Sequence, residues 1–132
     1  MVDKISFELV APERLLLSER AEMITVPGRE GEFGVLAGHA PVISSLRPGV
    51  IDIKGGDLGD TRFFVLSGFA EVTPQKLVVL AEDVLPMAEI DAAALDQRIK
   101  HAGEDILQAK TEIERAKAVE SLDHLKVLRA SL

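Results

Sequence analysis

The sequence predicts a β-rich sandwich or flattened barrel followed by an α-helical unit, and three observations carry that reading. All five Phe lie at or before Phe69, all six Pro at or before Pro86, and only Gly103 of ten glycines lies further on. Aromatic and β-branched residues favour strands, while Pro and Gly punctuate turns. Up to residue 86 short apolar runs alternate with turn residues; beyond it the composition shifts to Ala, Leu, Glu, Lys, Arg and Gln, the vocabulary of helices. The expected domains are therefore 1–86 and 87–132.

In the first domain, Ile5–Val10 sets Ile5, Phe7 and Leu9 on one face against Ser6, Glu8 and Val10 on the other, the period of a strand. Further strands are expected at Leu15–Ser18, Ala21–Val26, Phe33–Leu36, Val42–Leu46, Val50–Lys54, Arg62–Leu66, Phe69–Thr73 and Leu77–Ala81. The run from Gly55 to Asp60 reads as a hairpin connection, and Thr73-Pro74-Gln75-Lys76 as a tighter one. Ser67-Gly68 reads as a bend between strands. No stretch leaves room for helices between these strands, which excludes a doubly wound sheet.

In the second domain, Asp91 is placed to cap a helix starting at Ala92, with a stripe of Leu95, Ile99, Ala102, Ile106 and Ala109. Thr111-Glu112-Ile113-Glu114 has capping-box spacing, so a second helix is expected there, its stripe running through Ile113, Ala116, Val119, Leu122, Leu125 and Leu128. Two such helices make an antiparallel hairpin. The stripe does not break between them, however, so one continuous helix of about 60 Å beside a long partner is equally permitted.

Composition narrows the function. The chain has 132 residues, 47% hydrophobic and 28% charged, with net charge −7 and a pI near 4.9. That charge excludes the basic footprint of a nucleic-acid binder and disfavours anionic lipid. The absence of cysteine excludes disulfides, thiolate metal sites and cysteine nucleophiles. No apolar run approaches the roughly 20 residues that cross a bilayer. Met-Val-Asp-Lys-Ile-Ser at the start resembles neither a signal nor a transit peptide, so the chain is expected to stay in the compartment where it is made.

Residues that could carry chemistry are few. His39, His101 and His124 lack a second ligand at metal spacing. Ser44, Ser45 and Ser67 lack a nucleophile-elbow context. Glu112 with Arg115, and Glu114 with Lys117, are i,i+3 pairs of a solvated helix face. The stretch from Val26 to Pro41 holds four glycines but no Gly-Lys-Ser/Thr ending, and its Glu30 and Glu32 oppose an anion. It reads as a tight loop with charges at its tip, suited to docking.

Several runs then resemble one family. Pro27-Gly28-Arg29-Glu30-Gly31-Glu32-Phe33-Gly34-Val35-Leu36, Gly38-His39-Ala40-Pro41, Arg47-Pro48-Gly49-Val50-Ile51, and Phe64-Val65-Leu66-Ser67-Gly68-Phe69-Ala70-Glu71-Val72 are similar to the epsilon subunit of bacterial F-type ATP synthase. The resemblance implies a sandwich of two five-stranded sheets, a C-terminal helical hairpin and no catalysis by the chain itself. It implies a central-stalk role that couples proton-driven rotation of the c-ring to ATP synthesis through the gamma subunit. The location it implies is peripheral, on the cytoplasmic face of the bacterial inner membrane, without lipid insertion. Glu30, Gly31, Glu32 and His39 would face polar loops of the c-ring, where acidic groups meeting basic ones fix register.

The resemblance also implies that the tail can extend beside gamma toward the alpha/beta catalytic head and restrain ATP hydrolysis. Some members hold ATP through a motif beginning Ile/Leu-Asp-x-x-Arg-Ala. Here Ile90-Asp91 is kept, but Ala94 replaces the arginine and Leu95 the alanine, so the phosphate-pairing guanidinium is lost and no cofactor is expected. From Ala88 onward acidic residues slightly outnumber basic ones, with only Lys126 and Arg129 in the last turns, so weak inhibition is expected. The alternatives are a free-standing regulatory adaptor that captures a partner helix, and a small β-domain enzyme using His39 with a carboxylate.

Overall fold

The computed structural model describes residues 3–132. It divides into two compact units, Met1–Ala88 and Glu89–Leu132. In the first, the strands are β1 (Ile5–Ala11), β2 (Arg14–Ala21), β3 (Met23–Gly28), β4 (Gly31–Val35), β5 (Val42–Leu46), β6 (Gly49–Lys54), β7 (Thr61–Val65), β8 (Ser67–Val72), β9 (Lys76–Glu82) and β10 (Leu85–Pro86).

Five strands form one layer in the order β10-β7-β6-β3-β4, and five form the other in the order β5-β8-β9-β1-β2. The two layers are one continuous hydrogen-bonded ladder, because β3 belongs to both. Met23, Ile24 and Thr25 pair with Lys54, Ile53 and Asp52 of β6, whereas Gly28 pairs with Leu46 of β5. The corner between these pairings is tied by the Arg47 amide donating to the Pro27 carbonyl (3.0 Å) and the Arg29 amide donating to the Ser45 carbonyl (2.9 Å). Gly49 lies so close to the Pro27 ring that a Cβ there would sit 2.7 Å from it. All pairings are antiparallel except β1 with β9, which runs parallel from Ser6↔Lys76 to Val10↔Leu80.

Alternation along the strands builds the core. Ile5, Phe7 and Leu9 of β1, Ile24 and Val26 of β3, Ile51 and Ile53 of β6, and Leu77 and Val79 of β9 are all fully buried. Each such side chain contributes about 1.5–3 kcal/mol by leaving water. A β-bulge interrupts β1 against β2: Leu9 faces Leu17 but Val10 faces Leu15, leaving Leu16 as the extra residue. The bulge turns Leu15 to the outer face, where it is 54% exposed. Sequence alternation does not reveal this insertion. β2 also runs longer than Leu15–Ser18, because its pairing with β1 continues to Ala21, the residue expected to open the next strand. β10 is also an addition, a two-residue pairing of Leu85 and Pro86 with Phe64 and Phe63.

In the second unit a 3₁₀ turn at Met87–Glu89 precedes α1 (Ala92–Gln108) and α2 (Glu112–Ala130). The Asp91 side chain caps α1, accepting from the Ala93 amide (2.9 Å) and the Ala94 amide (3.4 Å). Thr111 Oγ1 caps α2 by accepting from the Glu114 amide (3.1 Å), while Glu114 Oε2 accepts from the Lys110 amide (3.0 Å). Ala109 and Thr111 are both extended, which separates the helices. Arg129 Nε donates to Asp96 Oδ1 at 2.9 Å, joining the end of α2 to the start of α1, so the pair is antiparallel.

The α1 stripe is inward as expected, with Leu95 and Ala102 buried and Ile99, Ile106 and Ala109 half-buried. The α2 stripe needs correcting in its first half. Ile113 is 72% exposed and Val119 40%, and Ala116 is exposed too, while Ala118 is half-buried. Only from Leu122 through Leu125 to Leu128 does the expected stripe face inward. The continuous spacing read from sequence therefore serves two different directions across the break.

Gly68, the second residue of β8, takes a left-handed conformation, φ +149°, where an added Cβ would overlap the Leu80 carbonyl oxygen and lie 2.9 Å from Ala81 Cα. Gly68→Ala is expected to cost about 1–3 kcal/mol for backbone strain alone, with the clash adding to it. A lower urea midpoint with unchanged slope, followed by tryptophan-free far-UV dichroism, checks this; an unchanged midpoint contradicts it.

Candidate functional site

The tip of the β3–β4 hairpin is Arg29-Glu30, closed by the Gly28↔Gly31 pair. Gly28 is required because a Cβ would stand 2.7 Å from the Gly31 carbonyl and 2.8 Å from the Phe33 ring. Gly31 itself takes φ +142°, which favours glycine. Glu30 and Glu32 are exposed, and neither forms an ion pair among the described residues.

The link between β4 and β5 folds back toward this tip. The His39 amide donates to the Leu36 carbonyl (3.1 Å) and the Gly38 amide to the Pro74 carbonyl (2.7 Å), with Gly38 at φ +86°. His39 Nδ1 donates to the Ala40 carbonyl at 2.6 Å, and its ring lies 6.4 Å from that of Phe33. An open groove of about 520 Å³ results, lined by Arg29, Glu30, Gly31, Phe33 and His39 on one side and by Ala40 through Ser45 on the other. Three of the four expected interface residues thus share one wall. Glu32 does not line the groove; it neighbours Phe33 in β4, and strand alternation points it the other way.

The His39 hydrogen bond goes to a backbone carbonyl rather than a carboxylate, so the arrangement lacks an oriented acid–base pair. Among the described residues no cluster of three or more His, Cys, Asp or Glu is arranged to hold a metal. The groove offers shape, two acidic side chains nearby and an apolar wall in which Ile43 is 74% exposed. That chemistry suits docking of a polar loop.

A second surface is visible only once the register is known. On the outer face of the β5-β8-β9-β1-β2 layer, Ser45 pairs with Phe69, Phe69 with Leu80, Leu80 with Val10, and Val10 with Leu15. These residues form a single row across the layer. Phe69, Leu80 and Leu15 are 58%, 52% and 54% exposed, and beside them lies an apolar hollow of about 470 Å³. The available sequence signal was large apolar residues at outward positions of three strands; without the bulge and the parallel β1–β9 pair they could not be aligned.

The family model for the ATP synthase, Delta/Epsilon chain, beta-sandwich domain matches residues 4–87. Over 129 residues the chain is 51% identical to the ATP synthase epsilon chain of Parvibaculum lavamentivorans, covering 98% of each. It is 41% identical to that of Mesorhizobium japonicum over 132 residues, covering 100% of this chain and 98% of the relative. Its fold matches a chain in the OSCP/F1/c-ring structure of Euglena gracilis mitochondrial ATP synthase with TM-score 0.84 and 26% identity, covering 98% of this chain and 82% of the other.

Asp91 sits at the head of α1, and both its bonds are capping bonds. Asp91→Ala should lower the stability of the helical unit by about 1 kcal/mol, and Asp91→Asn by less. Helical ellipticity in a urea titration measures this, and the loss should be the same with and without ATP. An ATP-dependent difference would show a nucleotide role for Asp91.

Proposed function

The chain belongs to the ATP synthase epsilon family, and from that membership we propose that it is a central-stalk subunit linking a gamma subunit to the c-ring. The family is a non-catalytic one, so the task is mechanical: to hold two partners in fixed register while torque passes between them. The observation that carries the proposal is the apolar row Leu15-Val10-Leu80-Phe69, whose exposure on a rigid sheet is the mark of a docking face.

The row and the groove divide the labour. Apolar burial on the row supplies affinity for gamma, because it is non-directional and scales with area. The groove with Glu30, Gly31 and His39 supplies polar recognition of the ring loops, and Glu32 adds charge beside it. Both surfaces belong to one ten-stranded ladder, so a load on one reaches the other without a flexible joint. Among the described residues no helix is long and apolar enough to cross a membrane. The subunit then reaches the membrane through its partners, at the cytoplasmic face.

The helical unit supports a regulatory part of the reading. Leu107, Ile113, Val119 and Val127 are 86%, 72%, 40% and 39% exposed, which leaves apolar surface on the hairpin for a second partner such as gamma or the alpha/beta head. Only Lys126 and Arg129 lie near its end to meet acidic surfaces, so restraint of ATP hydrolysis is weak.

Phe69→Glu with Leu80→Glu should leave the sandwich folded, since both side chains are more than half exposed, yet abolish co-purification with a gamma subunit and membrane-bound ATPase. Retained co-purification of this double variant would refute the assignment of the row. Deleting the chain from Asp91 onward should change ATP hydrolysis by the assembled enzyme only slightly; a several-fold rise would show strong inhibition by the tail.

A further inference from the structure

One ionisable side chain lies where neither docking surface uses it. Glu19 is on β2 opposite Phe7, on the core side of the layer, and is only 8% exposed. Both of its carboxyl oxygens are out of solvent and without a hydrogen-bond partner. Directly over it lies the β6–β7 connection, Gly55 to Asp60. A Cβ on Gly56 would overlap Glu19 Oε1, and the Gly59 carbonyl crowds the same space at 2.9 Å. Only glycine at 56 lets the loop close on the carboxyl.

The loop is laced down beside Glu19 by a small set of bonds. The Asp57 amide donates to the Arg20 carbonyl (3.1 Å), and the Arg20 amide returns a bond to Asp57 Oδ2 (3.3 Å). Lys4 Nζ donates to Asp57 Oδ1 at 2.9 Å, the Gly59 amide to the Gly56 carbonyl at 3.0 Å, and the Gly55 amide to Asp60 Oδ1 at 2.8 Å. Those carboxylates are committed to the loop's own bonds, so the site is not a cation cage.

We propose that the β6–β7 connection is a pH-operated latch, closed over the neutral Glu19 carboxyl and released when that carboxyl ionises. A neutral carboxyl stays dry at far lower cost than a carboxylate; with only the Leu58 amide near it, the carboxylate requires water, and water enters only if the loop lifts. Burial first, then the negative charge of Asp57, raise the Glu19 pKa above its ordinary 4.5, while the Leu58 amide and the Lys4 ammonium offset part of this. For Asp57 the Lys4 hydrogen bond first, then the Arg20 amide, lower the pKa, so the tie itself stays charged throughout the window.

The surrounding charges do not neutralise Glu19. Lys4 before β1 is ion-paired with Asp57, Arg20 on β2 bonds Asp57 through its amide and acts on it by charge, Lys54 lies 3.8–3.9 Å from Asp52 and Asp60, and Glu22 packs against Gly55 as a further negative group. An acid whose pKa is raised in the closed state contributes its stabilisation fully below 4.5, and loses it as pH rises through the raised value. The latch therefore loosens upward in pH.

Hydrogen exchange of the full chain between pH 4.5 and 8, corrected for intrinsic rates, tests this. Protection of the Asp57 and Gly59 amides should fall with rising pH, while that of the Thr73 amide, bonded to Lys76 in the β8–β9 turn, stays level. In Glu19→Gln, which stays neutral, the fall should vanish. A level profile in the unmodified chain, or the same fall in Glu19→Gln, overturns the proposal. Carbon-13 titration of the Glu19 carboxyl in the unmodified chain gives an independent reading: its midpoint should lie above 4.5 and coincide with the loss of protection, and a midpoint at or below 4.5 overturns it.

Discussion

The sharing of β3 between two layers is the constraint on which the sandwich depends. Its first three residues hold β6, its last holds β5, and its other edge holds β4. A strand can serve two layers only if it turns sharply in the middle without exposing its polar groups. Val26, Pro27 and Gly28 do this while buried, with the Pro27 carbonyl satisfied by Arg47 and the missing side chain of Gly49 making room for the proline ring. Proline donates no amide here, and the ladder needs none at that position.

Both proposed docking surfaces inherit their geometry from this corner. The groove opens where the layers part beside Gly28↔Leu46, between the hairpin of β3 and β4 and the strand β5. The apolar row crosses the layer that starts at β5, with Ser45 at its end, one residue from Leu46. Polar recognition and apolar grip are thus neighbours across one hydrogen-bonded junction. In the proposed stalk role, a displacement at either surface would be resisted by sheet hydrogen bonds rather than by side-chain rotamers.

Much of the fold was legible because it rests on local rules. Short apolar runs between turn residues located nine strands, and the caps at Asp91 and Thr111 act as their spacing predicts. Tertiary pairing explains what was not legible. The Leu16 bulge reverses the outward residue without any local signal, so the apolar row could not be aligned. The α2 stripe failed in its first half because an unbroken three-four spacing cannot say where the chain reverses. Glu30, Gly31 and His39 were singled out only through resemblance, and their gathering in one groove needed the return of the loop at Gly38. Glu19 lies just beyond the strand expected at Leu15–Ser18. Only its register with Phe7 turns it inward.

The parallel pairing of β1 with β9 has a consequence for the life of the chain before it joins any assembly. β1, the first strand of the sandwich in chain order, lies between β2 and β9, and β9 is the last long strand of the sandwich to be made. Until β9 emerges, the β1–β2 hairpin lacks the parallel neighbour of β1, and the edge that β9 later pairs stays open. The layer cannot close progressively during synthesis; it must wait and then pay the loop-closure entropy in one step. A chain stalled before Lys76 carries an unpaired β1 edge, the kind of strand edge that favours aggregation.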